Sequence, residues 1–496
     1  MKTYLLALFS AITLNAFAQS FDLGRGISYS VEMSGTVSDG DNAPLWLSAN
    51  KQGVNSTNAN SAYERASVFR DIATDSSRVW KRGYGLDIML SQNATSTFLI
   101  HQAFFEATYK KINITVGAKE REIDLRNNDL TSGGLSLGIN STPIPQALVY
   151  VDYFSVPYTN QWWKFRGRMG YGMTTDGRWQ RTWVAPDCKR TSNILYHEKA
   201  LYTRIGREDK FPLTYEIGIQ MFAQFGGTSY NITGRNYHDK NEPLKNSSNL
   251  NAFWHAFWPM GSDGDVTDGT QTNVSGNQLG SYNMALQWKG RDWHVRGYFE
   301  RFFEDHSMLT VQYGIYDHLV GIDASLPSNK FISNVLVEHL STKDQSGPVY
   351  HDPTSSMPDA IAGIDNYYNH NNYTGWQHWG MTIGNPLITS PIYNSPHHLT
   401  FYNNRIQAWH IGLSGNPNSE VSWKMLMSFT KNWGTYNYPF ADVKKQQYYM
   451  LEVRYAPKRL HGWSTKLALG LDHGTVIGNS IGAQLSIHKT GMLTNK

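Results

Sequence analysis

Apolar and polar residues alternate with a period of two in segment after segment of this 496-residue chain. In one long example, apolar side chains stand at every second position from Leu213 to Phe225, and polar residues such as Glu216 and Gln220 lie between them. Successive side chains of a β-strand point to opposite faces, so this pattern predicts a strand with one apolar and one polar face. The same alternation recurs at 27–34, 112–119, 163–173, 281–288, 293–300, 421–429, 449–455, 467–471 and 477–487. It predicts an all-β protein.

These segments are about ten residues long, which is the length that a tilted strand needs to cross the hydrocarbon core of a bilayer. Their second face is polar and often charged, which a β-sandwich core does not tolerate without paired partners, whereas a barrel lumen does. We count roughly sixteen candidate strands and, because closed outer-membrane barrels favour even numbers, predict a transmembrane outer-membrane β-barrel of about 16–18 antiparallel strands with long extracellular loops. A secreted β-sandwich or β-propeller is the alternative that alternation alone leaves open.

The composition agrees with a barrel. Beyond the N-terminus no run of about 18 apolar residues occurs, which excludes a bundle of transmembrane helices. The mean hydropathy is -0.46, as expected where only every second strand residue is apolar. Aromatic residues are abundant (16 Trp, 29 Tyr and 21 Phe), and those at strand ends suit the interfacial girdles of a barrel. These strand-end residues are Trp80, Tyr84, Trp163, Tyr171, Trp288, Trp293, Trp423 and Tyr455.

The N-terminus has the features of an export signal. Lys2 precedes an apolar stretch over residues 4–14, and a small-x-small triplet of the kind that signal peptidase recognises ends at Ala18. We therefore expect residues 1–18 to be a cleaved signal peptide. Residues 19–496 are expected to form a single barrel domain in the cell outer membrane.

Two long stretches, near 226–280 and 341–404, lack the alternation and are rich in Asn, Asp, Gly and aromatic residues. Loops of this length are usually functional or disordered, and the aromatic content argues against disorder. Asn, Asp and His form directional hydrogen bonds with hydroxyl groups, while Tyr and Trp rings can stack on the apolar faces of sugars. The candidate polysaccharide-binding residues are Asp365, Tyr367, Tyr368, Trp376 and Trp379. An alternative at least as consistent with the composition is a self-packed extracellular loop that plugs the barrel.

A row of basic residues, Lys164, Arg166 and Arg168, occupies the polar face of one predicted strand and is expected to face the lumen. Such a row could face an anionic polymer. The alternative, which we favour, is a ladder of ion pairs with Asp and Glu from neighbouring strands. The net charge of +4, or about +3 once Lys2 is removed, gives no support for nucleic-acid binding.

The sequence contains no convincing metal, cofactor or catalytic motif. Histidine is frequent between residues 351 and 398, yet no H-E-x-x-H or similar ligand spacing occurs, and we expect neither a metal nor a cofactor. His339 and Ser341 are two residues apart, as in the His-x-Ser pair that outer-membrane phospholipases carry on a strand. A lipid hydrolase is therefore one alternative, although nucleophilic catalysis also needs a third group to hold the base. Cys188, the sole cysteine, excludes an intramolecular disulfide.

Several motifs occur in order along most of the chain, at 43–50 (APLWLSAN), 132–136 (SGGLS), 143–145 (PIP), 197–202 (HEKALY), 365–370 (DNYYNH), 375–376 (GW), 383–387 (IGNPL), 404–406 (NRI) and 410–413 (HIGL). In these motifs the chain resembles the outer-membrane capsule-assembly family called Wzi. The resemblance implies a many-stranded outer-membrane barrel, closed to free flow, that acts as a surface lectin for nascent capsular or extracellular polysaccharide. It implies no catalysis.

We therefore expect a non-enzymatic outer-membrane barrel that binds capsular or extracellular polysaccharide and assists capsule assembly or attachment. The expected partners are that polysaccharide and outer-membrane lipid, with no nucleic acid, and the chain is expected to be a monomer. One alternative is a diffusion porin or substrate-specific channel, which the charged inner faces motivate. The other alternative is the lipid hydrolase at His339 and Ser341.

Overall fold

In the computed structural model, eighteen antiparallel strands close into a single barrel. The structure describes residues 23–232, 242–259, 275–304, 316–327, 331–347, 350–351 and 361–494, and the predicted signal peptide lies outside them. Each strand pairs with the next along the chain, and β18 returns to pair with β1, where Ile487 lies opposite Met33. The prediction of an all-β outer-membrane barrel is thereby confirmed, at the upper end of the predicted strand number.

The barrel strands are β1 Ile27–Asp39, β2 Ser61–Arg70, β3 Trp80–Gln92, β4 Phe98–Tyr109, β5 Ile112–Ala118, β6 Gln146–Ser155, β7 Trp163–Met173, β8 Leu195–Ile205, β9 Leu213–Phe225, β10 Asn277–Lys289, β11 His294–Glu304, β12 His318–Ser325, β13 Asn334–Ser341, β14 Ile406–Gly415, β15 Val421–Gly434, β16 Pro439–Tyr455, β17 Trp463–Gly474 and β18 Ser480–Met492. Short strands outside the barrel wall are Arg190–Ser192, Thr228–Tyr230, Leu244–Lys245, Tyr350–His351, Ile361–Ala362, Gln377–His378 and Met381–Thr382.

The outward face of the strands is apolar, and the inward face is polar. In β9, for example, Tyr215 is exposed on the outer wall, whereas Glu216 beside it is buried on the lumen side. This alternation supplies the apolar belt that a membrane barrel needs, while the polar side chains of the strands face the interior. Exposed apolar residues of the belt include Val31, Met33, Leu86, Ile88, Leu90, Ile112, Ile114, Val116, Met169, Leu201, Leu286, Val320, Ile322, Leu451, Leu467, Leu469, Ile481 and Leu485.

The connections between strands are short at one end of the barrel and longer at the other. The short ones include 110–111, 290–293 and 416–420. Bacterial outer-membrane barrels have short periplasmic turns and longer extracellular loops, so the end with the short connections is periplasmic. The long extracellular connections are 40–60, 119–145, 174–194, 226–276 and 342–405. Exposed aromatic residues at the periplasmic strand ends are Tyr109, Trp163, Trp288, Tyr455 and Trp463, as an interfacial girdle requires.

Three extracellular segments, 42–58, 119–145 and 365–404, fold back into the lumen, and we refer to them together as the plug. Its core is aromatic: the fully buried ring of Trp376 lies 5.9 Å from that of Tyr196 on β8 and 5.7 Å from that of Phe222 on β9. The composition left open the alternative of a self-packed loop that plugs the barrel. The second long loop, near 341–404, has this arrangement over its described plug segment 365–404. The fully buried large side chains are Trp46, Leu47, Leu130, Tyr196, Tyr202, Phe222, Phe302, Phe303, Tyr367, Tyr368, Trp376 and Phe401.

Helices in the described residues are short and lie in connections. They are α1 Leu45–Ser48 in the plug, α2 Gly177–Trp183 and α3 Leu250–Phe257, with 3₁₀ turns at Ile72–Asp75 and Pro391–Tyr393. None of the described helices has the length and apolarity needed to cross a membrane.

The buried tryptophan of the plug gives a direct test of this architecture. Trp376→Ala should lower the free energy of unfolding by about 3–5 kcal/mol, because it leaves a cavity in the plug core. It also removes the indole N–H that donates to the carbonyl of Ser136 at 2.8 Å. Urea unfolding in lipid vesicles, followed by circular dichroism, measures the change. The matched control is Trp162→Ala, at an exposed site in a periplasmic turn, which should change the free energy by only about 0.5 kcal/mol. Equal losses in the two variants would contradict a packed plug.

Candidate functional site

Carboxylates on the lumen wall hold the plug by accepting hydrogen bonds from its backbone. Glu300 of β11 accepts bonds from the backbone N–H groups of Leu135 (2.9 Å) and Ser136 (3.1 Å). The same carboxylate forms an ion pair with Arg126 of the plug, and all four residues are buried. Buried N–H groups need an acceptor and a buried charge needs a partner. Glu300 therefore supplies partners to three groups of the plug, namely two backbone N–H groups and one guanidinium group.

Two further carboxylates attach other parts of the plug. Glu338 of β13 accepts bonds from the backbone N–H of Ser132 (2.8 Å) and the hydroxyl of Thr131 (2.5 Å). Asp472 of β17 accepts the backbone N–H of Leu45 at 2.8 Å. Because Leu45 is the first residue of α1, its N–H has no acceptor within the helix, and the wall carboxylate supplies one.

The basic row predicted on the lumen face is Lys164, Arg166 and Arg168 on β7, and all three side chains are half-buried. Arg166 contacts Asp124 of the plug at 2.5 Å and Glu216 of β9 at 3.0 Å. Arg168 contacts the same aspartate at 2.5 Å and Glu198 of β8 at 3.0 Å. The two arginines therefore form part of an ion-pair ladder that joins the wall to the plug, which is the alternative favoured from the sequence.

Of the five residues predicted to bind polysaccharide, three lie inside the plug. Tyr367, Tyr368 and Trp376 are at most 1% exposed, so their rings are not accessible to a polymer. Apolar packing places these three candidate polysaccharide-binding residues in the lumen rather than on the outer surface. Asp365 is half-buried and accepts a hydrogen bond from Ser346. Trp379, also half-buried, lies on the extracellular side of the plug.

Trp379 belongs to a row of neighbouring aromatic rings on the extracellular side of the barrel. Trp179 and Trp183 are four residues apart and lie on the same face of α2, with ring centroids 4.8 Å apart. The ring of Trp183 stacks on that of His397 at 4.4 Å with 10° between the planes. The ring of Trp379 lies 5.9 Å from that of Trp179. We call these four residues the aromatic ridge; Trp183 and Trp379 are half-buried and His397 is exposed.

The backbone around the ridge is held by buried contacts. Asp176, the buried residue before α2, accepts hydrogen bonds from the backbone N–H of Trp379 (3.2 Å) and from the side chain of Gln180 (2.9 Å). Gly380 has a φ of +77°, and a Cβ there would lie 2.9 Å from the Trp179 ring. A glycine at this position therefore allows the loop to close on the ring. These contacts preorganise the ridge.

The aromatic surface continues from His397 to its neighbour His398. The ring of His398 lies 4.6 Å from that of Tyr402, which lies 5.3 Å from that of Tyr438. Both tyrosines are exposed. Burial, together with the charge of His397, lowers the pKa of His398. Nδ1 of His398 accepts a hydrogen bond from the side-chain amide of Asn394 at 3.1 Å.

Exposed polar side chains stand beside the ridge on and around α2. They are Thr175, Arg178, Arg181 and Thr182. Together the two sets offer apolar ring surface and hydrogen-bond donors toward the cell exterior, a combination that suits a hydroxyl-rich ligand. Sequence reasoning did not single out Trp179, Trp183, Tyr402 or Tyr438. The two tryptophans at a spacing of four residues were the signal that could have identified this surface.

The pair His339 and Ser341 lies on the outward side of β13. Nδ1 of His339 is 3.3 Å from Nε2 of His318, and its ring lies 4.9 Å from that of Trp409. A catalytic base must contact its nucleophile and be oriented by a third group. Within the described residues, the contacts of His339 are with His318 and Trp409, so this geometry gives no support for a lipid hydrolase.

Asp87, His101 and Glu120 form a cluster of potential metal-ligating side chains in the described part of the lumen, with ligand atoms within 4.8 Å of one another. The guanidinium group of Arg65 lies between the two carboxylates, 2.5 Å from each. Because this group already neutralises charge at the cluster, we interpret it as an ion-pair network of the lumen rather than as a metal centre.

No protein-family model and no curated protein sequence matches the chain. The structure is similar to that of Wzi, an outer-membrane protein involved in group 1 capsule assembly in Escherichia coli and described as a carbohydrate-binding β-barrel. The TM-score is 0.57 at 14% identity, over 94% of this chain and 84% of Wzi. OprD of Pseudomonas aeruginosa (TM-score 0.48, 8% identity, 97% of this chain and 98% of OprD) is also similar.

A BenF-like porin of Pseudomonas fluorescens Pf-5 has a TM-score of 0.48 at 10% identity, over 94% of this chain and 98% of the porin. At these identities, the likeness to Wzi shows a shared outer-membrane barrel fold. The TM-scores of the two porins are lower and carry no structural argument.

The attachment of the plug to Glu300 gives a second test. Glu300→Ala should lower the free energy of unfolding by about 3–5 kcal/mol, because it removes the nearer of the two carboxylates beside buried Arg126, keeping only Glu338 at 3.7 Å, and leaves two backbone N–H groups without an acceptor. Urea unfolding in vesicles measures this loss. Glu64→Ala, the same change at an exposed glutamate of β2, should cause no comparable loss. Indistinguishable unfolding of the two variants would show that Glu300 does not secure the plug.

Proposed function

We propose that this protein binds capsular or extracellular polysaccharide at the cell surface and assists capsule assembly or attachment without catalysing a reaction. The observation that carries the proposal is the aromatic ridge, which lies on the extracellular side of a barrel whose lumen holds the plug. A polymer outside the cell meets the ridge before it meets the buried aromatic residues of the plug. The proposed binding residues are therefore Trp183, Trp379 and His397, and Asp365, half-buried in the same loop, stays a further candidate.

The chemistry of the ridge supports a sugar ligand. Trp179 is buried beneath the other rings, while Trp183, Trp379 and His397 present apolar surface on a rigid backbone, so little side-chain entropy is lost when a ligand packs against them. The exposed hydroxyl of Thr182 and the exposed guanidinium groups of Arg178 and Arg181 can bond sugar hydroxyl or carboxylate groups beside the rings. Repeating units of a polymer can occupy the ridge and the neighbouring Tyr402 and Tyr438 at the same time, which strengthens binding through multivalency.

Two likenesses support this function. The motifs at 43–50, 132–136 and 383–387 resemble the Wzi capsule-assembly family, and they lie in the three plug segments. The Escherichia coli Wzi protein, which has the same barrel fold, is described as a carbohydrate-binding β-barrel. We propose by analogy that the present chain shares that role.

A porin or substrate-specific channel is the second candidate function, because part of the lumen is open and charged. Two pockets of ≈ 310 and ≈ 540 Å³ lie in its periplasmic part. The first is lined by residues that include Arg166, Arg204 and Arg296, and the second by residues that include Arg65 and Glu106. The buried plug residues lie above these pockets, which favours surface binding over diffusion.

Substitution of the ridge tests the proposed binding site. Trp183→Ala and Trp379→Ala should each weaken binding of the host's own polysaccharide by about two- to tenfold, since an aromatic contact contributes about 0.5–1.5 kcal/mol. Binding of labelled polysaccharide to purified protein in vesicles gives the dissociation constant.

Two comparisons make that result specific to the ridge. Trp183→Phe, which keeps an aromatic face, should restore most of the affinity, and Trp162→Ala in a periplasmic turn should leave it unchanged. Unaltered binding in both ridge variants, with their unfolding transitions intact, would place the polysaccharide site elsewhere.

Conductance separates the two candidate functions. In planar bilayers the wild-type barrel should show no steady open-channel current, because buried plug residues occupy the lumen. Glu300→Ala should increase the frequency of transient openings, since it loosens the plug. A steady open-channel current through the wild type would favour the porin function and oppose the plugged surface receptor.

A further inference from the structure

The helix α3 lies against the outside of the barrel. It packs near the extracellular ends of β7, β8 and β9, on the side that faces away from the lumen. Three outward-facing wall residues contact it or lie under it: Tyr171, Ala223 and Phe225. They alternate along their strands with lumen-facing residues and continue the exposed outward positions Met169 and Tyr215 below them. The connection 226–276 therefore carries a helix down the outer wall.

One face of α3 is firmly attached to that wall. Ala252 and Ala256 are buried in a cluster with Ala223 and Phe225. The hydroxyl of Tyr171 donates to the carbonyl of Phe253 at 3.0 Å, and the side chain of Gln278 on β10 donates to the carbonyl of His255 at 3.0 Å. These bonds hold the helix backbone at a defined position on the wall.

The helix also covers two polar residues that point outward from β8. The Nζ of Lys199 lies 4.8 Å from the centroid of the Phe257 ring, and the ring of His197 lies 5.9 Å from the same ring. Nδ1 of His197 donates to the carbonyl of Gly170 at 2.8 Å. A lysine on the lipid face of a barrel is costly in the bilayer core, and α3 shields this one from direct lipid contact.

The opposite face of α3 is apolar and exposed. Leu250 and Trp254 of α3, together with Trp258 directly after its last residue, are spaced by four residues and are 87%, 57% and 60% exposed. Tryptophan is enriched where membrane meets water, and a helix with an apolar face can lie in the interface plane with that face in the lipid. Outward residues of the barrel belt on the strands beside α3, Met173 on β7 and Leu201 on β8, are also exposed.

We propose that α3 is an interfacial membrane helix whose outer face, formed by Leu250, Trp254 and Trp258, binds lipid of the outer leaflet. Its location on the outer wall beside the lipid belt identifies the occupant as lipid. The helix widens the membrane contact of the barrel on the side of β7–β9 and holds the described residues 242–259 at the membrane surface. This role is independent of polysaccharide binding.

Spin-label accessibility tests the proposal in the full chain. Cys188→Ser removes the native thiol, and Trp254→Cys is then labelled with a nitroxide in dioleoylphosphatidylcholine vesicles. The label should be accessible to oxygen and protected from a water-soluble nickel chelate, as at the lipid-facing control Leu201→Cys. The aqueous control is Tyr438→Cys in the extracellular connection 435–438, where the label should be more accessible to the nickel chelate than to oxygen. Leu250→Cys repeats the measurement in case the tryptophan substitution impairs folding.

Each other result overturns the proposal. Nickel accessibility at positions 250 and 254 equal to that at 438 would place the face in water. Low accessibility to both reagents would show that protein covers it, and dipolar broadening between labels would identify a second copy of the chain as its partner. Trp258→Asp is the functional counterpart, since a charge on this face should lower the oxygen accessibility of a label at 250 severalfold while the barrel remains folded.

Discussion

Hydrogen bonds from the plug backbone to buried wall carboxylates are the interaction on which the interior of this barrel depends. The plug has little regular secondary structure, so many of its N–H groups lack acceptors within their own segment. Glu300, Glu338 and Asp472 provide acceptors from three different strands. Because each bond joins wall to plug, the inner faces of the strands and the folded loops form one packed interior.

The filled interior determines where the protein can meet its surroundings. Aromatic residues inside the plug, such as Trp376, stabilise the fold and are hidden from ligands. Rings that are at least partly exposed lie outside the plug core, and they include those of the aromatic ridge on the extracellular side and of α3 on the outer wall. The first faces the cell exterior and the second lies beside the lipid belt, so we propose a polymer as the ligand of the ridge and membrane lipid as the ligand of the helix.

Alternation along the strands predicted the fold because a period of two records directly which face meets lipid. The interior was harder to predict. An aromatic-rich loop such as 365–379 has the same composition whether it packs into a lumen or faces a sugar. Only the tertiary structure shows that Tyr367 is buried in the lumen and that Trp379 is partly exposed on the extracellular side. The ridge was missed because its main residues, Trp179 and Trp183, lie on a helix of seven residues within a connection. The sequence shows a run of aromatic residues at 253–258, but its position on the outer wall could not be predicted because it depends on the closed barrel.

Oxidative footprinting of tryptophan with and without the host's capsular polysaccharide tests the central claim most directly. The account predicts that saturating polymer protects Trp183 and Trp379 from oxidation, leaves Trp162 in the periplasmic turn unprotected, and does not alter the low reactivity of buried Trp376. Polymer that binds while the ridge tryptophans remain fully reactive, or that protects only residues at the periplasmic end, would contradict it.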